Sequence, residues 1–183
     1  MTYQIRKILD SDWPEVNRIY REGIDTNLAT FQSECPTWEE WDASHLKDCR
    51  VVITGDGMVL GWAALTAVSG RCVYAGVAEV SIYISQAYRG LGIGKMLLLE
   101  LIRLSEANGF WTLQSGIMQN NTASIRLHES CGFRTVGYRE KIGRDRFGVW
   151  RNTVLMEKRS ASDCFDGTCT CGAVRSRNNE KER

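Results

Sequence analysis

One segment limits the possible folds more than any other: Arg89-Gly90-Leu91-Gly92-Ile93-Gly94-Lys95, three glycines at alternate positions between two apolar stretches. Upstream, Ala78-Glu79-Val80-Ser81-Ile82-Tyr83-Ile84 reads as a strand. Downstream, Ile93, Leu97, Leu101 and Leu104 repeat at the helical period until Asn108-Gly109 ends the pattern. Bare glycine amides at the start of a helix aim N–H groups and the positive end of the helix dipole at one point, which makes an anion site. Spacing narrows the anion. A P-loop needs glycine where Arg89 stands and Ser or Thr where Met96 stands, and a dinucleotide fingerprint needs its last glycine at Lys95 or Leu97. Both known patterns fail.

The same punctuation divides the rest of the chain. Tyr3 to Lys7 alternates as a short strand, and Ser11 is placed to cap a helix carrying Pro14, Val16, Ile19 and Tyr20. Thr37-Trp38-Glu39-Glu40 reads as a capping box, and the long loop from Thr26 to Pro36 before it is a candidate for function. Val51 to Thr54 and Val59 to Leu65 form a hairpin about Asp56-Gly57. Trp111 to Ile117 is a strand, Asn121 to Cys131 a helix stopped at Gly132, and Phe133 to Lys141 with Gly148 to Met156 two last strands. The order β-α-α-β-β-β-α-β-α-β-β predicts an α/β fold: a mixed, mostly antiparallel sheet with helices on both faces. One domain is expected over residues 1–159, followed by a disordered, Cys-containing tail over 160–183.

Lys+Arg 23 against Asp+Glu 22 leaves a formal charge of +1, so no long-range field draws the chain to nucleic acid or anionic lipid. No apolar run approaches the roughly 18 residues of a membrane span, and the first residues carry no signal-peptide core. A soluble, cytoplasmic protein is expected. Seven cysteines, an odd number in a chain able to build a core, are read as reduced thiols. Cys164, Cys169 and Cys171 cluster in the tail, but a fourth ligand at zinc spacing is missing and no metal site is assigned.

The run from Arg89 to Gly94 fits R-x-x-G-x-G, and Asn121-Thr122-Ala123-Ser124-Ile125-Arg126-Leu127-His128-Glu129-Ser130-Cys131-Gly132-Phe133 is similar to N-x-x-[AS]-x-x-L-[YH]-x-x-x-G-F. In both, the chain resembles the GNAT superfamily of acetyl-CoA-dependent N-acetyltransferases, from about Tyr3 to Lys158. Within it the closest likeness is to the phosphinothricin and methionine sulfoximine acetyltransferase group, through Thr30 to Trp38, Ala78 to Ile84 and Trp150. The resemblance implies acetyl-CoA as co-substrate, with its pyrophosphate at Arg89, Gly90, Leu91, Gly92, Ile93, Gly94 and Lys95. It further implies pantetheine amides paired with the backbone of Ile82, Tyr83 and Ile84, help from Asn121 and Ser124, a small-molecule amine as the other substrate, and a homodimer. The group's histidine before the last-strand tryptophan is missing from Asp145-Arg146-Phe147-Gly148-Val149-Trp150, which leaves the acceptor open.

Amide formation needs an amine stripped of its proton and a proton for the departing thiolate. Glu79, a carboxylate in mid-strand among apolar neighbours, suits the base, and the resemblance gives it that role. Asn121, Ser124 and His128 fall on one face of their helix, and a neutral imidazole at His128 is a candidate donor to the thiolate. For the acceptor, Arg71 and Tyr74 are candidates to bind a carboxylate, with Phe31 and Glu34 closing the pocket from the long loop. The expected reaction is direct transfer of acetyl to the α-amine of an amino acid or amino-acid-like toxin. Acetylation of a protein or peptide amine, and a non-catalytic acyl-CoA-sensing module, are the other readings of the same residues.

Overall fold

The computed structural model describes residues 2–161, and the expectation for the tail, with Cys164, Cys169 and Cys171, lies outside them. Strand β1 (Tyr3–Lys7) leads into helices α1 (Trp13–Asp25) and α2 (Trp38–Ser44). Strands β2 (Arg50–Gly55), β3 (Met58–Ala67) and β4 (Val77–Ile84) follow. The chain then runs through α3 (Ile93–Ala107), β5 (Thr112–Met118), α4 (Thr122–Ser130), β6 (Arg134–Arg144) and β7 (Trp150–Arg159). This is the expected order. The strands form one seven-stranded sheet, β1-β2-β3-β4-β5-β7-β6, in which only β4 and β5 run parallel.

Each face of the sheet buries its own core. On one side α3 and α4 cover Val51, Ile53, Leu60, Leu65, Ala78 and Val80 with Ile93, Leu97, Leu98 and Leu101. On the other, α1 and α2 cover Val52, Trp62 and Ala64 with Val16, Ile19, Tyr20, Ile24 and Trp41. β2 and β3, buried on both faces, therefore read as nearly continuous apolar runs. Asp56 and Gly57 both take positive φ, 49° and 80°, which matches the primed turn that joins strands with right-handed twist.

Two local expectations differ. Ser11 does not cap α1: it lies in a single 3-10 turn, Asp10–Asp12, and the carboxylate of Asp12 is taken by the Leu9 N–H and by Arg6 on β1. That pairing fixes the start of α1 against the sheet, a tertiary contact that local spacing does not show. The capping box at Thr37 and Glu40 is present in full. The last hairpin also differs in its bounds: β6 runs past Lys141 to Arg144, while β7 begins at Trp150 rather than Gly148 and runs past Met156 to Arg159. Its tip is held by buried Asp145, which accepts hydrogen bonds from Asn27, Arg151 and the Phe147 and Val149 amides. The hairpin tip is thereby tied to the loop after α1.

Candidate active site

β4 and β5 are paired only at Val77 with Thr112, Ala78 with Leu113 and Glu79 with Gln114. Beyond Glu79 they diverge: β5 stays on β7 to Met118, while β4 continues to Ile84 with β3 as its one strand neighbour among the described residues. The backbone edge of Val80 to Ile84 therefore faces an opening in the sheet. Such an edge can pair with the amides of an extended ligand.

A cavity of about 510 Å³ runs along that edge to the start of α3, lined by Ile82, Tyr83, Ile84, Arg89, Gly90, Gly92, Gly94, Lys95, Asn121 and Ser124. Gly90 and Gly92 take φ of 78° and 79°, a region that only glycine enters freely. Gly92 is the N-cap of α3 and no side chain caps it, so the Ile93 and Gly94 amides stay open to an anion, while the Lys95 amide donates to the Gly92 carbonyl at 3.1 Å. A Cβ on Gly94 would stand 3.2 Å from Leu127, so this glycine also lets α3 approach α4. Arg89 donates through Nε to the Ile84 carbonyl at 3.2 Å. Two residues of the run do not line the cavity with side chains: Leu91 projects into solvent and Ile93 is buried in the core, so they offer backbone alone. Gly23, Thr26, Leu28, Ala29, Tyr88, Ala123 and Leu127 complete the lining and were not foreseen.

A second cavity, about 290 Å³, continues from the first, sharing Ala29, Ile82, Tyr83, Asn121 and Ser124 and adding Glu79, Phe31 and His128. A long ligand cavity opening through a split sheet onto a smaller one with a carboxylate at the fork is a frame for group transfer between two substrates. The model of the acetyltransferase (GNAT) family matches residues 3–133. This chain belongs to the GNAT acetyltransferase family. It is 34% identical over 160 residues to a phosphinothricin N-acetyltransferase of Alcaligenes faecalis, covering 84% of this chain and 81% of the relative. To an L-methionine sulfoximine/L-methionine sulfone acetyltransferase of Pseudomonas aeruginosa it is 28% identical, covering 86% and 94%. The crystal structure of a GNAT phosphinothricin acetyltransferase from Sinorhizobium meliloti in complex with AcCoA superposes with a TM-score of 0.79 at 29% identity, over 94% of this chain and 98% of that one.

The acetyltransferase uses acetyl-CoA, and the long cavity fits it: open amides at α3 for phosphate, and an unpaired strand edge for an extended amide arm. In the smaller cavity Glu79 is half-buried, with Gln114 Nε2 3.5 Å from Oε2, and no ion pair engages it among the described residues. His128 is buried, its ring edge against Phe133. Its Nδ1 lies 2.8 Å from the Ser124 carbonyl and so carries the proton, leaving Nε2 a bare acceptor with no partner among the described residues. Burial pushes the His128 pKa below its ordinary value and keeps the ring neutral. The expected proton donor is thus an acceptor at rest.

Asn121 caps α4 by accepting from the Ser124 amide, while its Nδ2 donates to the Leu28 carbonyl, joining the long loop to α4 across the fork. Phe31 lines the acceptor cavity and packs on Gly143 of β6. Three expected acceptor residues are elsewhere. Glu34 faces a polar hollow bordered by Arg21, Asp25 and Cys35. Arg71 and Tyr74 sit on the exposed turn before β4, the guanidinium 5.7 Å from the ring centroid, and line neither cavity.

Proposed function

We propose that this acetyltransferase moves the acetyl group of acetyl-CoA directly to the α-amine of a small amino acid or amino-acid-like toxin of the phosphinothricin or methionine sulfoximine type. The observation that carries the reading is Glu79, a carboxylate without an ion-pair partner among the described residues, at the last position where β4 pairs with β5 and where the acceptor cavity meets the coenzyme cavity. The relatives named for phosphinothricin and methionine sulfoximine support the choice of acceptor.

The α3 amides, Gly90, Gly92, Arg89 and Lys95 hold the pyrophosphate, and the β4 edge at Ile82 to Ile84 holds the pantetheine arm. Bound acetyl-CoA supplies the thioester carbonyl. Glu79 takes one proton from the α-ammonium, freeing the nitrogen lone pair to attack that carbonyl. As the C–N bond forms and the C–S bond breaks, His128 Nε2 takes the second amine proton and delivers it to the thiolate. The proton on Glu79 returns to solvent.

We also infer a homodimer: β6 is an edge strand, and the last hairpin exposes Tyr138, Ile142, Phe147, Val149 and Trp150. Free Cys35, Cys49, Cys72 and Cys131 suit the reducing cytoplasm.

The test is thiol release from acetyl-CoA with phosphinothricin, methionine sulfoximine, methionine sulfone, the common amino acids and short peptides as acceptors. Release with peptides alone overturns the small-acceptor reading. Glu79→Gln is expected to lower kcat about 10²- to 10⁴-fold while acetyl-CoA affinity by calorimetry stays within twofold. Unchanged turnover would remove Glu79 from the chemistry.

A further inference from the structure

An α-amino acid carries its carboxylate two bonds from its amine, so a pocket that seats the amine at Glu79 must answer a negative charge close by. No lysine or arginine among the described residues lines the acceptor cavity, and Arg71, 5.7 Å from the exposed Tyr74 ring, lies outside it. Another cation does reach the place. Arg139 on β6 stands opposite Thr153 on β7 and donates to its Oγ1 through Nε at 3.2 Å, which leaves both Nη groups directed onward.

They are directed at β5. A Cβ on Gly116 would stand 2.6 Å from Arg139 Nη2 and 3.7 Å from Glu79 Oε1, so guanidinium and carboxylate converge over one glycine of the acceptor cavity wall. Any larger residue at 116 would occupy the guanidinium's place. Arg139 is half-buried and forms no ion pair among the described residues. A guanidinium held by one nitrogen, with its fork free and a neighbouring carboxylate not bonded to it, is arranged to receive something carrying both charges.

We propose that Arg139 is the acceptor's carboxylate anchor, which selects free α-amino acids over amines and peptide N-termini that lack an adjacent carboxylate. This rests on the amino-acid reading given above and adds its specificity determinant. The two oxygens of the α-carboxylate accept from the Nη groups, and the α-ammonium then falls beside Glu79. Thr153 and the missing side chain at Gly116 act as positioning residues.

The experiment compares L-methionine sulfone with its α-carboxamide as acceptors, for wild type, Arg139→Gln, Arg139→Lys and Gly116→Ala. In Arg139→Gln, kcat/KM for the acid is expected to fall about 10- to 100-fold through KM, with the carboxamide and the KM for acetyl-CoA unchanged. Arg139→Lys regains part of the loss. Gly116→Ala, whose added methyl meets the guanidinium but only touches Glu79, shows the same loss for the acid with Arg139 intact. Equal losses on acid and carboxamide, with a shifted pH profile of kcat/KM, would mean that Arg139 acts on Glu79 and would overturn the proposal. An unaffected acid does so too. Both results leave the small-acceptor reading standing, because wild type still acetylates methionine sulfone. A wild type active on peptides alone overturns that reading and this proposal together.

Discussion

Gly23 lies on the buried face of α1 against β4, and replacing it by alanine sets two effects against each other. Helix propensity alone favours alanine by about 1 kcal/mol in mid-helix. The structure opposes it: a Cβ at this site would stand 2.5 Å and 2.6 Å from two carbons of the Tyr83 ring, an ångström inside ordinary carbon contact. That ring has little room to move. It is stacked on Trp62 with centroids 4.7 Å apart and meets Tyr20 at 4.8 Å. Overpacking of a fixed core costs about 1–3 kcal/mol, and a ring held on two sides belongs in the upper half of that range. The net expectation is a loss of about 1–2 kcal/mol, read as a lower urea midpoint at constant m and a Tm lowered by about 2–8 °C. Because Gly23 and Tyr83 both border the coenzyme cavity, KM for acetyl-CoA should rise as well. A Gly23→Ala protein about 1 kcal/mol more stable than wild type would refute the reasoning, since it would mean that the helix slides off the ring at no cost.

Two further expectations concern titration. Burial holds the His45 and His128 pKa values below the ordinary 6.5, so as pH falls below about 6.5 the unfolded chain binds protons that the folded chain refuses. Stability must then fall between pH 7 and 5, measured by urea midpoints, and His128→Gln should flatten part of that slope; an unchanged slope refutes the assignment. Cys49 is buried and its thiol is pushed up to about 11, whereas Cys72 is exposed. Iodoacetamide at pH 8, followed by peptide mass spectrometry, should label Cys72 well before Cys49 and leave Cys49 intact until the protein unfolds; early labelling of Cys49 would contradict its burial.

The strands and helices were legible because apolar period and punctuation agree: Asp56-Gly57 turns a hairpin, Asn108-Gly109 stops α3, and Thr37 with Glu40 caps α2. The placement of candidate residues carried on regular elements was legible for the same reason. Glu79, Ile82, Tyr83, Ile84, Asn121, Ser124 and His128 all border the paired cavities: strand and helix periods fix the side chains of Glu79, Asn121, Ser124 and His128, and the unpaired strand edge presents the backbone of Ile82 to Ile84. Loop residues have no such rule. Phe31 turns inward onto Gly143 while Glu34, three positions on, faces Arg21 and Asp25 on the far side. Ser11 failed as a cap because Asp12 is held by Arg6, a contact between elements. The convergence of Arg139 and Glu79 over Gly116 was hidden for a like reason: a glycine inside β5 announces a close approach without naming the visitor.

The divergence of β4 from β5 leaves the sheet's two halves joined by a short parallel ladder that ends at Glu79. Whatever lies against Val80 to Ile84 becomes a structural member, supplying rungs that the chain itself omits. Occupancy then enters the folding equilibrium by mass action, and a ligand at a hundred times its dissociation constant adds about 2.7 kcal/mol to stability. The resistance of this protein to unfolding and proteolysis will accordingly follow the supply of the thioester that it consumes.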